Sequence, residues 1–160
     1  MKHIYPCLWL DDKAEEAANF YVAIFKNSRI TSTSRYGDAG PRPKGTVMVV
    51  TFELDGEKFM GLNGGPQFKF SPAISLVAKC ESQQEVDHFW EELSAGGEKG
   101  RCGWLTDKFG VSWQIVPTAL DEMMSKGDAA KSNAVMKALL RMDKLDIQGL
   151  RKAYQGAGGA

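Results

Sequence analysis

The 160-residue sequence lacks several features that would assign a function directly. Lysine plus arginine and aspartate plus glutamate number 20 each, so the chain has neither a net positive charge nor a dense basic stripe. No apolar run reaches the ~20 residues that a membrane helix needs, and the N-terminus lacks the apolar stretch of a signal peptide. We therefore expect neither nucleic acid nor a membrane as a partner.

Cysteine and histidine are scarce, which limits cross-links and metal sites. The cysteines, Cys7, Cys80 and Cys102, are odd in number and form no C-x-x-C pair. This argues against a disulfide framework or a zinc ribbon and favours a reducing cytoplasm. We expect each cysteine to be a small buried side chain. The two histidines, His3 and His88, have no metal-ligand spacing, and His88 is expected on a helix surface.

The predicted elements follow the same order twice. Each half starts with an apolar strand, continues with a helix that begins at a capping box, and ends in further strands. The capping boxes are Asp12 with Glu15 and Ser82 with Glu85. The predicted strands cover residues 4–10, 29–36, 46–54, 57–63, 73–80, 101–105 and 111–116.

This order indicates an internal duplication of a βαβββ module, with a period near 70 residues. The paired modules occupy residues 1–117, with the copies at about 3–66 and 70–117. Strand and helix alternation also fits a parallel α/β sheet. The hairpin signal at Asp55-Gly56 and the presence of only two interior helices favour an α+β fold with a mixed sheet.

Residues 118–155 are expected to form a C-terminal helical extension, and residues 156–160 a flexible tail. Asp128 is a candidate cap for a helix over 129–142, and a last helix is predicted over 145–154. The first of these helices carries an apolar stripe of Val135, Met136, Leu139 and Leu140. Such a stripe needs a cover, either its own sheet or a partner subunit, and we expect a homodimer.

Residues 107–117 combine a turn around Gly110 with a strand that Pro117 ends. Alternation gives this strand an apolar face and a second face that carries Gln114. The two faces are Val111, Trp113 and Ile115 on one side and Ser112, Gln114 and Val116 on the other. Binding pockets present polar groups from rigid strands in this way, although alternation alone equally allows a solvated face.

Three separated segments resemble the PhnB-like branch of the vicinal oxygen chelate superfamily, also known as the 3-demethylubiquinone-9 3-methyltransferase domain family. They are residues 8–10 with 15–21, residues 62–66 (Leu-Asn-Gly-Gly-Pro) and residues 107–115. The resemblance covers roughly residues 3–155. It implies two βαβββ modules that form an incomplete barrel around a cavity, as in glyoxalase and bleomycin-resistance proteins, usually as a homodimer.

The resemblance also implies where a metal would be held. Enzymes of the superfamily typically take His, Glu or Gln ligands from the first and last strands of each module. The matching positions are Tyr5 with Cys7 and Trp9 on its face, Asn63 or Gly61, Ser75, and Gln114. Tyr5, Asn63, Ser75 and Gln114 include neither imidazole nor carboxylate, the ligands that divalent cations need. We therefore expect no metal.

The sequence lacks the pattern that methyl transfer would require. A methyl-donor site commonly uses a glycine-rich loop between a parallel strand and a helix. The glycine-rich segments at residues 37–45 and 64–66 are not followed by helices. We therefore expect no S-adenosylmethionine site and no cofactor, and a family name by itself does not establish a reaction.

Strand parity and the resemblance together predict a ligand cavity with aromatic and amide character. The predicted ligand-binding residues are Cys7, Trp9, Asn63, Ser75 and Gln114, with Trp104 and Phe109 near the rim. Arg35, Arg42 or Lys44 could bring charge from the long loop. Such groups suit a small, flat or apolar organic ligand. Trp9 and Trp104 equally fit a packing role in a core or interface.

We therefore predict a metal-independent small-molecule-binding protein of this family. The alternative is an enzyme of the same fold, either a transferase as the family name says or a lyase or isomerase that uses Cys7 or Tyr5. That alternative needs an activated group, such as a Cys7 thiolate with a lowered pKa, and the sequence offers no basic neighbour to produce one. A purely structural role is a third possibility.

Overall fold

The computed structural model describes residues 4–126 and 128–157, and these form two units, one up to Phe70 and one from Ser71. The elements of the first unit are β1 (Cys7–Trp9), α1 (Ala14–Ile24), β2 (Arg29–Arg35), β3 (Val47–Leu54) and β4 (Glu57–Leu62). Those of the second are β5 (Ser75–Cys80), α2 (Gln83–Ser94), β6 (Glu98–Lys99), β7 (Trp104–Thr106), β8 (Ser112–Pro117), α3 (Thr118–Lys126), α4 (Ala129–Leu139) and α5 (Ile147–Gly156). None of these helices is long and apolar enough to cross a membrane.

Each unit contains one four-stranded mixed sheet. The strand orders are β1-β4-β3-β2 and β5-β8-β7-β6, so the two sheets have the same topology. In both, the first strand pairs in parallel with the last strand of the module, and the other neighbours are antiparallel. The predicted α+β fold with duplicated βαβββ modules is confirmed, and an all-parallel sheet is excluded.

Helix α1 packs closely on one face of the first sheet because its inner side chains are small. Ala14, Ala17 and Ala18 are fully buried. A Cβ added to Gly61 on β4 would lie 3.1 Å from Ala14 Cβ, so both small residues permit the close approach. Further along, the Tyr21 ring stacks on Phe52 of β3 with centroids 6.2 Å apart. Burial of two such large side chains stabilises the unit by about 2 kcal/mol each.

The C-terminal helices pack mainly on one another. Met123, Val135 and Leu150, one from each helix, are buried together. As predicted, Asp128 caps α4, and its Oδ1 accepts from Lys131 N at 2.9 Å. The stripe on α4 is only partly covered, since Met136 is 40% and Leu140 56% exposed. Of the predicted tail, residues 158–160 lie outside the described residues, and Gly156 is the last residue of α5.

The two predicted capping boxes have different outcomes. The second is confirmed, because Ser82 Oγ accepts from Glu85 N at 3.2 Å. The first is wrong, because α1 has Lys13 at its N-cap and no side-chain bond from that residue. Asp11 has a positive φ of 56°, which turns the chain so that a lysine, which has no acceptor, occupies the cap position.

Asn63, at the end of β4, supplies the missing cap of α1. Its Oδ1 accepts from Ala14 N at 2.8 Å, and its Nδ2 donates to the Val47 carbonyl at 3.1 Å. The Tyr36 hydroxyl donates to the Asn63 carbonyl at 2.6 Å. Asn63 is only 4% exposed, so this one side chain joins α1, β3 and β4 in the interior of the unit.

A buried aspartate closes the hairpin between β7 and β8. Asp107 is 3% exposed, and its Oδ1 accepts from Phe109 N at 2.9 Å and from Val111 N at 3.0 Å. Its Oδ2 accepts from Trp113 Nε1 at 2.9 Å. Three donors satisfy the buried carboxylate, as burial of a charged group requires. The bond to Trp113 fixes β8 at the residue that precedes Gln114.

We expect Asn63→Ala to lower the free energy of unfolding by about 2 kcal/mol, because Ala14 N and the Val47 carbonyl lose their partners in a dry site. Urea unfolding monitored by circular dichroism measures this change. Asn133→Ala, at an exposed position of α4, is the matched control and should be neutral or slightly stabilising. Equal effects of the two substitutions would contradict the capping role.

We expect Asp107→Asn to destabilise the protein by about 2–3 kcal/mol, because the amide nitrogen would face the Trp113 indole N–H, donor against donor. The same unfolding measurement applies. Asp143→Asn changes an exposed aspartate and should cost less than about 0.5 kcal/mol. A cost for Asp107→Asn as small as that of the control would show that the three hydrogen bonds contribute little.

Candidate functional site

The register of β1 with β4 separates the predicted site residues of the first unit into two groups. Cys7 pairs with Met60 and Trp9 with Leu62, so Cys7 and Trp9 lie on the face away from α1, which we call the first far face. Asn63 follows Leu62 and lies on the opposite side, where it bonds α1. The structure therefore brings Cys7 and Trp9 together but does not place Asn63 with them.

Trp9 is held rigidly by the segment that follows β4. Its indole Nε1 donates to the Gly65 carbonyl at 2.7 Å. A Cβ added to Gly64 would lie 2.4 Å from the Trp9 ring, so the indole lies directly against that glycine. The ring of Phe68 meets Trp9 edge-on, with centroids 4.9 Å apart, and Phe68 itself is 63% exposed. The glycines at 64 and 65 thus position an aromatic side chain on the first far face.

The cysteines differ in exposure, which corrects the expectation that all three are buried. Cys80 is buried and Cys102 half-buried, while Cys7 is exposed because alternation along β1 directs it to the far face. Desolvation raises the pKa of the Cys7 thiol. Desolvation, followed by the charge of Glu85, raises the pKa of Cys80 to about 12. Both thiols are therefore protonated at neutral pH.

Three predicted residues of the second unit lie together on one sheet face. Gln114 on β8 is the register partner of both Val77 on β5 and Trp104 on β7, and Ser75 begins β5. Gln114 Nε2 donates to Ser75 Oγ at 2.9 Å. We call this side, away from the buried Leu105 and Ile115, the second far face. The predicted alternation of β8 is confirmed, since Trp113 and Ile115 are buried and Gln114 is half-buried.

Phe109 belongs to the hairpin rather than to a strand. It is half-buried, its N–H is bound by Asp107, and the Lys108 ammonium lies 5.1 Å from its ring centroid. The turn that positions Phe109 is therefore the same one that fixes β8. Gly110, which has a φ of 86°, made the turn predictable, whereas the aspartate that closes it was not predicted.

A cleft that the sequence did not indicate lies at the start of α1. It has a volume of about 500 Å³ and is lined by Asp12, Glu15, Arg42, Pro43, Thr46, Val47 and Asn63. Of the three basic residues predicted to bring charge, only Arg42 lines it, and Arg42 pairs with Asp11 at 3.4 Å. Lys44 pairs with Asp38 at 2.9 Å, and Arg35 donates to the Gly45 carbonyl at 3.0 Å.

The side chains at the superfamily's metal positions do not fit a divalent cation. Cys7 offers a protonated thiol, and both polar atoms of the Asn63 amide are bonded within the protein. Gln114 and Ser75 form a neutral pair. In residues 4–126 and 128–157, no three His, Cys, Asp or Glu side chains come together as a metal site. His88 is exposed on α2, as predicted, and His3 lies outside the described residues.

Comparison with known proteins identifies one family profile and several solved structures that are similar to this chain. The sequence profile of the 3-demethylubiquinone-9 3-methyltransferase family matches residues 2–116. The PhnB protein from Bacillus cereus is 39% identical, with a TM-score of 0.68 over 73% of this chain and 100% of that chain. Protein PA1353 from Pseudomonas aeruginosa is 20% identical, with a TM-score of 0.61 over 73% of this chain and 98% of the other. No curated protein matches the sequence.

A more distant neighbour extends the likeness in fold. The fosfomycin resistance protein FosX from Listeria monocytogenes, solved in complex with Mn(II) and sulfate, is 16% identical. Its TM-score is 0.54, and the match covers 78% of this chain and 96% of that chain. At this identity the likeness concerns the fold alone. The profile match over residues 2–116, together with the 39% identity to the PhnB protein, shows that the chain belongs to the PhnB-like 3-demethylubiquinone-9 3-methyltransferase family.

Proposed function

We propose that this protein binds a small, uncharged organic molecule without the help of a metal ion. The observation that carries this proposal is the hydrogen bond between Gln114 and Ser75, at the positions where superfamily enzymes place metal ligands. The amide and the hydroxyl share one hydrogen bond. The further donors and the acceptor of these two side chains remain for a ligand. Trp104, half-buried and paired with Gln114 in the register, adds aromatic surface of the kind that organic ligands contact.

The contrast with FosX supports binding without a metal. That protein was solved with Mn(II), and the chain shares its fold. A shared fold does not by itself provide metal ligands. At these positions Cys7, Ser75 and Gln114 supply a thiol, a hydroxyl and an amide. Hard divalent cations require carboxylate or imidazole ligands to offset the loss of their hydration shell. The binding that we propose for this protein therefore involves no metal ion.

The family name suggests methyl transfer, but the local geometry supports binding instead. The glycine-rich segment at residues 37–45 joins two antiparallel strands, β2 and β3. Residues 64–66 lead into an irregular segment before β5. Neither follows a parallel strand and opens a helix, as a dinucleotide or S-adenosylmethionine cradle does. Methyl transfer would need a different type of donor site.

Thiol chemistry is likewise disfavoured as an alternative. The pKa of Cys7 is raised by desolvation, whereas a nucleophilic cysteine needs a lowered pKa. The Lys58 ammonium lies over the Tyr5 ring, at 4.2 Å from its centroid. The free thiols of Cys7, Cys80 and Cys102 suit the reducing cytoplasm that we propose as the location of the protein.

We also propose that the protein is a homodimer. Met136 on α4 and Leu140, the residue that caps the C-terminus of α4, are exposed apolar side chains four positions apart and form an apolar strip. A second subunit would bury this strip and gain hydrophobic stabilisation.

Native mass spectrometry with elemental analysis tests the proposed binding. We expect the purified protein to carry no stoichiometric transition metal, and an organic adduct that is lost in the Gln114→Leu variant. Gln148→Leu, the same substitution at an exposed position of α5, is the matched control and should retain the adduct. One metal ion per chain, or an adduct that both variants retain, would contradict the proposal.

Sedimentation or light scattering at micromolar concentration tests the homodimer. We expect a mass of twice the chain mass of 17.6 kDa. Met136→Lys with Leu140→Lys should yield monomers, because two charges would replace the apolar strip. Lys137→Glu, an exposed change between them, keeps the strip and serves as the control. A monomeric mass for the unmodified protein would refute the assignment.

A further inference from the structure

Resting on the proposed function, we infer that the second far face recognises a ligand through a neutral amide or lactam group on a planar ring. The inference goes beyond binding in general, because it assigns a chemical class from the hydrogen-bonding groups that remain available at Ser75, Trp104 and Gln114. Each of these three residues is half-buried, so its polar atoms lie at the surface of the sheet rather than inside the unit.

The Gln114 amide remains available on both of its sides. Its Nε2 carries two hydrogens, of which Ser75 Oγ accepts one at 2.9 Å. No described residue of the second unit donates to its Oε1 or accepts its second hydrogen. A ligand therefore meets one acceptor and one donor on a single planar group. An amide or lactam is the complementary group, since its N–H and its carbonyl lie side by side in the same way.

Two further donors stand beside the Gln114 amide. The Ser75 hydroxyl accepts from Gln114 and keeps its own hydrogen free to donate. Trp104 is the register partner of Gln114, so their side chains stand next to each other on this face. The Trp104 indole N–H has no acceptor among the described residues of the unit. Donors thus outnumber acceptors, which suits a carbonyl oxygen that accepts more than one hydrogen bond.

The surroundings of these groups favour a neutral, flat ligand. Val77 and Val116 flank Gln114 with apolar side chains, and Val77 is 50% exposed. The Lys79 ammonium, on the same face, forms an ion pair with Asp121 and so is neutralised. Among the described residues of the second unit, the cation on this face is already paired, and the Gln114 carbonyl would repel a carboxylate ligand. The indole of Trp104 offers the flat surface on which a planar ring stacks.

The test uses probes that differ in one feature each. 2-Quinolone is a planar lactam, N-methyl-2-quinolone lacks the N–H, quinoline-2-carboxylate is charged, and octahydro-2-quinolone is a lactam without the planar ring. Nitrogen-edited NMR titrations of the full chain, monitored at the Trp104 indole and Gln114 side-chain amide signals, give their affinities. We expect 2-quinolone to bind at least about tenfold more tightly than each of the others, the effect of one missing hydrogen bond or ring contact.

Variants connect this preference to the named residues. Gln114→Leu should remove the difference between 2-quinolone and its N-methyl relative, and Ser75→Ala should reduce it while leaving the fold intact. Gln148→Leu should retain it. Equal binding of the two quinolones to the unmodified protein, or the absence of any shift at Trp104 and Gln114, would overturn the amide assignment. The proposed function would survive that result if the copurified adduct is still lost in Gln114→Leu, so the two failures are distinguishable.

Discussion

The parallel pairing of the first and last strands in each module determines which side chains a ligand can reach. A helix lies on one face of each sheet, so the register of β1 with β4, and of β5 with β8, decides what remains on the other face. Cys7 and Trp9 are on the far face because they pair with Met60 and Leu62. A shift of one residue would exchange the two faces, burying the polar groups and exposing the apolar ones.

Two buried polar side chains stabilise this register. Asn63 joins the start of α1 to β3, and Asp107 joins the last hairpin to Trp113. Neither side chain lies on a far face. Asn63 bonds α1, and Asp107 bonds Trp113, which directly precedes Gln114. The segments that most resemble the family thus place buried structural residues and far-face residues at alternate positions of the same strands.

Short-range patterns were sufficient for much of the fold. The hairpin at Asp55-Gly56 was predicted from two residues, and both have the positive φ, 49° and 80°, that a tight hairpin turn requires. Ser82 and Asp128 were predicted as caps because the partner N–H lies three residues away. The alternation of β8 was equally local. These features depend on neighbours in the sequence, which is why they could be read from it.

Features that depend on residues far apart in the sequence could not be predicted. The cap of α1 is Asn63, 49 positions from Ala14, and no local signal links them. Alternation within a single strand does not show that Asn63 and Cys7 lie on opposite sides, because that depends on the register of β1 with β4. The cleft at the start of α1 arises from the long loop folding back, with Arg42 against Asp11, which composition does not reveal.

The contact between Trp9 and Gly64 makes these two positions interdependent. The indole occupies the space that any side chain at 64 would need, since even a Cβ would come within 2.4 Å of the ring. A larger residue at 64 is compatible with this backbone only together with a smaller one at 9, and the aromatic surface would then be lost. Variation at either position therefore constrains the other, and members of the family that differ here should differ at both sites at once.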